Sequence, residues 1–79
     1  MSTFERVRSL IAQGLNINEE KITPEASLRE DLSADSLDVV ELTMALEEDF
    51  EVEFGEDAMA LSTVQEIVDY IQEKLDQTS

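Results

Sequence analysis

Seventy-nine residues carrying 20 acidic side chains, five basic ones, no cysteine and no histidine make one small domain without disulfides or the ligands of a structural zinc site. A net charge of −15 repels nucleic acid and anionic membrane surfaces and attracts basic protein surfaces. Acidic from Glu5 onward and without a signal h-region or an apolar run long enough to span a bilayer, the chain is expected in the cytoplasm with no membrane insertion.

The charge is unevenly spread. Residues 1–29 balance Glu5, Glu19, Glu20 and Glu25 against Arg6, Arg8, Lys21 and Arg29, so the whole excess falls in residues 30–79, where Lys74 is the only base.

Phe4, Val7, Ile11 and Leu15 recur at spacings of three and four and predict an amphipathic helix over Thr3–Leu15. Ser2 or Thr3 can cap it, and Gly14 with Asn16 marks its end. Residues 16–35 then form a long connection, broken at Thr23-Pro24 and pinned to the core by Ile17, Ile22, Leu28 and Leu32. A loop of this length in so small a domain is often functional.

A second helix is expected from Asp35 or Ser36 to about Asp49 or Phe50. Residues 51–61 hold at most a short turn of helix, interrupted by Gly55. The last helix opens on two overlapping capping boxes, Ser62 with Gln65 and Thr63 with Glu66. Val64, Ile67, Val68, Ile71 and Leu75 continue it as one stripe. No alternation supports a sheet. The fold expected is all-α, a small four-helix bundle with three main helices, one short helix and a long first loop.

The second helix has two apolar faces. At about 100° per residue, Val39, Leu42, Leu46 and Phe50 share one side, and Leu37, Val40, Glu41, Met44, Glu47 and Glu48 share another. The first set suits the core. The second is apolar but bordered by carboxylates, which suggests a docking surface, the alternative being that Leu37 and Val40 lie under the long loop. Glu47, Glu48, Asp49 and Glu51 crowd the C-terminal end of the helix, where the macrodipole disfavours negative charge and a basic partner would use them.

Ser36 lies between Asp35 and Leu37-Asp38 at the head of this helix. An ordinary explanation is that its hydroxyl caps the helix. The same position would favour an added phosphate through the free N–H groups and the dipole, although Asp31, Asp35 and Asp38 oppose it. With no histidine or lysine beside it, Ser36 cannot be a self-contained nucleophile. Any chemistry there must come from another enzyme.

Asp35-Ser36-Leu37, followed by Asp38, Val40, Glu41 and Leu42 and then by MALEEDF, resembles the acyl carrier proteins of fatty acid synthesis. The resemblance runs from FERVRSLIA through KITPEASLREDLSADSL to STVQEIVDYI and is to the discrete bacterial and organellar type. It implies a single acyl carrier domain over 1–79 and a non-catalytic role. The serine matching Ser36 would receive 4′-phosphopantetheine from coenzyme A, transferred by a separate phosphopantetheinyl transferase, and the thiol of that arm would carry acyl chains as thioesters.

By the same resemblance, Asp35 and Asp38 meet basic residues of partner enzymes, and the face of Leu37, Val40, Glu41, Met44, Glu47 and Glu48 is the shared docking surface. The partners implied are the transferase, a ketosynthase, an acyltransferase, reductases and a dehydratase, met by a monomer whose interior shelters the acyl chain. Two departures stand out. Ser33 occupies a position where glycine is usual, and EFGEDAMAL is about one residue short, with Gly55 near the usual place of a proline.

Three other readings compete. Asp31, Ser33 and Asp35 match the first ligand positions of an EF-hand loop, but Ser36 replaces its glycine and Leu42 its bidentate glutamate, so no dedicated metal site is expected. The chain could instead be an acidic helical adaptor without a prosthetic group, or a carrier for polyketide or specialised lipid synthesis.

Overall fold

The first helix, α1, covers Thr3–Leu15 in a computed structural model of the chain that describes residues 2–55, 58 and 60–78. The Ser2 hydroxyl caps it by accepting the Glu5 N–H at 3.2 Å. Asn16 ends it in the left-handed region at φ 57° and returns its N–H to the Ala12 carbonyl, a conformation that asparagine tolerates better than most residues. Gly14, expected to share in the stop, remains helical.

The long connection is packed rather than loose. Ile22, Ala26, Leu28, Leu32 and Ala34 are all buried, and a three-residue 3₁₀ turn at Glu19–Lys21 is capped by the Asn18 side chain. The Ser27 carbonyl accepts from the N–H of Asp31 at 2.9 Å and of Leu32 at 3.0 Å, while Asp31 Oδ2 accepts the Ser27 N–H at 2.7 Å.

The second helix, α2, covers Ser36–Phe50, and the third, α3, covers Val64–Thr78. The loop satisfies donors at the start of α3 that no helix can satisfy for itself. Ala26 O accepts the Val64 N–H at 3.0 Å and Pro24 O the Gln65 N–H at 2.9 Å, while Leu28 returns an N–H to Ser62 O at 2.9 Å. This makes one isolated antiparallel bridge between Ser27 and Thr63.

Of the two capping boxes expected there, only the one with Glu66 forms. Glu66 Oε1 accepts the N–H groups of Thr63 at 2.9 Å and Ser62 at 3.1 Å and the Ser62 hydroxyl at 2.8 Å. These bonds, led by the Thr63 N–H, hold its carboxyl at about 2, below the ordinary 4.5. Gln65 turns away to donate to Asp69 at 2.8 Å.

Helix α1 packs against both α2 and α3. Val7 and Ile11 from α1, Leu46 from α2, and Val64 and Ile71 from α3 form the fully buried centre.

The architecture is all-α, with three α-helices among the described residues. The fourth, short helix expected within 51–61 is corrected: the described bonds there are single i→i+3 contacts, Ala58 N–H to Gly55 O at 3.1 Å and Leu61 N–H to Ala58 O at 3.2 Å. Side chains have already taken the preceding donors, since the Phe54 N–H goes to Glu47 Oε2 at 3.1 Å and the Gly55 N–H to Tyr70 Oη at 3.0 Å. Glu56, Asp57 and Met59 of that segment lie outside the described residues.

Candidate functional site

Asp35, not Ser36, caps α2. Its backbone is extended, at φ −90° and ψ −177°, and Oδ1 accepts the Asp38 N–H at 2.9 Å. Asp38 Oδ2 accepts the Asp35 N–H in return at 3.3 Å, closing a reciprocal box. Ser36 is thereby the first helical residue. Its side chain is exposed and makes no hydrogen bond among the described residues, so the capping role expected of it is corrected. The hydroxyl stands at the positive end of the helix dipole, unbonded, with no cationic side chain paired to it.

The segment leading to Ser36 is fixed by burial of Leu32 and Ala34 and by the Ala34 N–H, which donates to Leu28 O at 2.8 Å. Between those two anchors Ser33 takes φ 59°, a left-handed conformation that glycine adopts freely and serine does not. The chain keeps the turn and places the strain on Ser33.

Beyond Ser36 the two faces of α2 separate as its spacing requires. Val39, Leu42 and Leu46 are buried, and Phe50 packs at the margin of the core. Leu37, Val40 and Met44 are 66%, 39% and 59% exposed, the exposed large hydrophobic side chains of the described residues. They do not lie under the long loop. Asp35, Glu41 and Glu48 are exposed beside them, and Asp38 is half-buried.

Glu47 departs from the group. It is half-buried and committed to the Phe54 N–H, tying the end of α2 to the chain that follows. Asp49 likewise has a partner within the molecule: its Oδ2 accepts from Arg6 Nε at 3.0 Å and from Arg6 Nη2. Two of the four acids crowded at this helix end thus have structural uses, which leaves Glu48 and the left-handed C-cap Glu51 without one. Sequence reasoning missed Arg6 because its partner lies 43 residues away.

A pendant phosphodiester fits this arrangement. Ser36 Oγ is accessible and unbonded, and the first turn of α2 presents its dipole to an anion.

A family model described as "Phosphopantetheine attachment site" matches residues 5–71, which defines the class: a non-catalytic carrier whose prosthetic group is phosphopantetheine. The chain is also 53% identical over 73 residues to "Acyl carrier protein" of Thermosynechococcus vestitus, covering 91% of this chain and 90% of that protein. This chain belongs to the acyl carrier protein family. The reading as an adaptor without a prosthetic group falls with that result. Among the described residues no helix is long and apolar enough to cross a membrane.

Proposed function

We propose that Ser36 is the attachment residue and that the chain is one acyl carrier domain of a discrete fatty acid synthesis system in the cytoplasm. The observation that carries this is the free hydroxyl at the first position of α2. Ser2, Thr3, Ser27, Thr43, Ser62 and Thr63 all use their hydroxyls in hydrogen bonds within the fold. Among the described residues, Ser36 alone combines an unbonded hydroxyl with a helix N-terminus.

Ser36 Oγ gives its proton to a base brought by the transferase, because no histidine or lysine adjoins it. The oxygen forms a bond to phosphorus as coenzyme A loses its nucleotide part. The α2 dipole favours the resulting negative charge, while the Asp35–Asp38 box keeps the first turn in place. When attached, the group supplies the thiol on which acyl chains are held as thioesters. The bundle interior shelters them.

Partner recognition is assigned to Asp35, Leu37, Asp38, Val40, Glu41, Met44, Glu47 and Glu48. Leu37, Val40 and Met44 offer apolar contact, and the acids around them meet basic patches of the transferase, ketosynthase, acyltransferase, reductases and dehydratase. Glu47 contributes mainly by holding the end of α2. The carrier works as a monomer.

Incubation with coenzyme A and a phosphopantetheinyl transferase is expected to add one phosphopantetheine by intact mass, and Ser36→Ala to abolish the addition. Modification that persists in Ser36→Ala, for instance at Ser33, overturns the assignment.

A further inference from the structure

Sulfur enters this chain only through methionine, at Met1, Met44 and Met59, because cysteine is absent. Met44 is the methionine among the described residues, and it stands on α2 at 59% exposure. Its thioether is open to an oxidant in water. Leu37 and Val40, which share the exposed stripe, are saturated hydrocarbon and inert to peroxide.

The neighbours on α2 offer nothing to hold an added oxygen. One turn away lie Val40 and Glu41 on one side and Glu47 and Glu48 on the other. None of these side chains donates a hydrogen bond when the carboxylates are ionised. The adjacent Thr43 hydroxyl is already given to the Val40 carbonyl at 2.8 Å. A sulfoxide oxygen at Met44 therefore takes its hydrogen bonds from water, which reaches it at this exposure.

That separates Met44 from a methionine in a core. In the free carrier the polar sulfoxide stays solvated, and the fold is untouched. Once a partner covers the stripe, the same group loses its water against a surface shaped for a thioether, and burial of an unpaired polar group is unfavourable. The penalty of oxidation falls on association.

We infer that Met44 is a site of reversible oxidation that controls docking: hydrogen peroxide converts its thioether to the sulfoxide, and a methionine sulfoxide reductase restores it. The inference adds regulation to the carrier reading, on which it rests. A sulfur lone pair attacks one peroxide oxygen, and the S–O bond forms as the O–O bond breaks. The proton on the transferred oxygen passes to the departing hydroxide to give water, so sulfur loses two electrons and peroxide gains them. In the return step two thiols of the reductase system close to a disulfide, and the sulfoxide oxygen leaves as water. Methionine suits this stripe because its flexible, polarisable side chain adapts to several partners. The same sulfur opens each of those contacts to oxidation.

The test uses the full chain before phosphopantetheine is attached, so that no arm thiol competes for the peroxide. Treatment is expected to add an oxygen at Met44, located by peptide mapping, with an unchanged circular dichroism spectrum. KM of a phosphopantetheinyl transferase for the chain is expected to rise several-fold with kcat little changed. Methionine sulfoxide reductases of both epimer classes are expected to return KM to its starting value. Met44→Leu keeps an apolar side chain without sulfur. Its KM, whatever the untreated value, is expected to stay the same after peroxide although Met1 and Met59 are still present. An equal rise in Met44→Leu overturns the inference. If the untreated chain accepts no phosphopantetheine, the carrier reading fails and the switch falls with it. If it accepts the group and full oxidation of Met44 leaves KM unaltered, the switch alone falls.

Discussion

Asp35 and Asp38 exchange hydrogen bonds across the first turn of α2, at 2.9 and 3.3 Å, and Ser36 sits between them without one. Loss of an N-cap side chain costs about 1 kcal/mol. Asp35→Ala is therefore expected to lower stability by roughly that amount, while Ser36→Ala changes it by less than about 0.5 kcal/mol. Urea unfolding of both variants decides this. Equal losses would mean that the serine shares the cap.

Ser33, at φ 59°, invites the opposite change. Relief of a left-handed serine is worth about 1–2 kcal/mol, and the extra freedom of glycine in the unfolded chain removes about 0.4–1 kcal/mol. Ser33→Gly is expected to raise stability by a net amount near 0.5–1 kcal/mol. A fall in the unfolding midpoint would show that the serine makes a contribution that outweighs its backbone strain.

Glu66 makes stability depend on acid in a defined window. Its carboxyl titrates at about 2 in the fold against an ordinary 4.5, chiefly through the Thr63 N–H, the Ser62 hydroxyl and the Ser62 N–H. A depressed carboxyl stabilises the fold fully above its unfolded value and loses that effect as pH falls through its folded value. Glu66→Gln is thus expected to be less stable than the parent at pH 7, with the gap narrowing from about pH 4.5 down to about 2. Melting curves at pH 7, 4 and 3 follow it, and a gap constant with pH would refute it.

The exposed stripe of α2 predicts a loss of recognition without a loss of fold. Glu41→Lys and Met44→Ala both change exposed positions, so circular dichroism is expected to stay the same. Association with the transferase is expected to slow several-fold in Glu41→Lys at low salt, and the defect to fade as salt screens it. Stopped-flow association at two salt concentrations measures both effects. An unchanged rate at low salt would place the surface elsewhere.

Charge repulsion gives the last prediction. Residues 30–73 contain 15 acidic side chains and no basic one, and the pairing of Asp49 with Arg6 relieves only one of them. Sodium chloride is expected to raise the melting temperature, since exposed charges are screened within roughly 10 Å at 0.1 M. Magnesium at equal ionic strength is expected to raise it further. No cluster of three ligating side chains exists among the described residues, so the gain is expected to rise gradually rather than saturate at one equivalent. A melting temperature flat in salt would contradict this.

Much of the fold was legible because helical spacing is a local signal. The bounds of α1 and the division of α2 into Val39, Leu42 and Leu46 on one side and Leu37, Val40 and Met44 on the other follow from residue periodicity alone. The cap of α2 was not legible, because aspartate and serine are both good caps and only the backbone angles at Asp35 separate them by one residue. The partners of Glu47 and Asp49 were hidden for a different reason: long-range pairing depends on how the elements pack. Ser33 stood out only through the family pattern, since nothing in its own chemistry announces a left-handed turn.

The bridge between the first loop and α3 also sets an order of events. Among the described residues, the Leu28 N–H and the carbonyls of Ala26 and Pro24 have their partners in Ser62, Val64 and Gln65. A chain growing from its N-terminus has completed α2 well before those partners exist. Until α3 arrives, the stretch that carries Leu28, and through it the Ala34 N–H beside the serine turn, lacks its outer anchor. The surface around Ser36 is thus finished last although it is encoded early, and the final helix serves as its keystone.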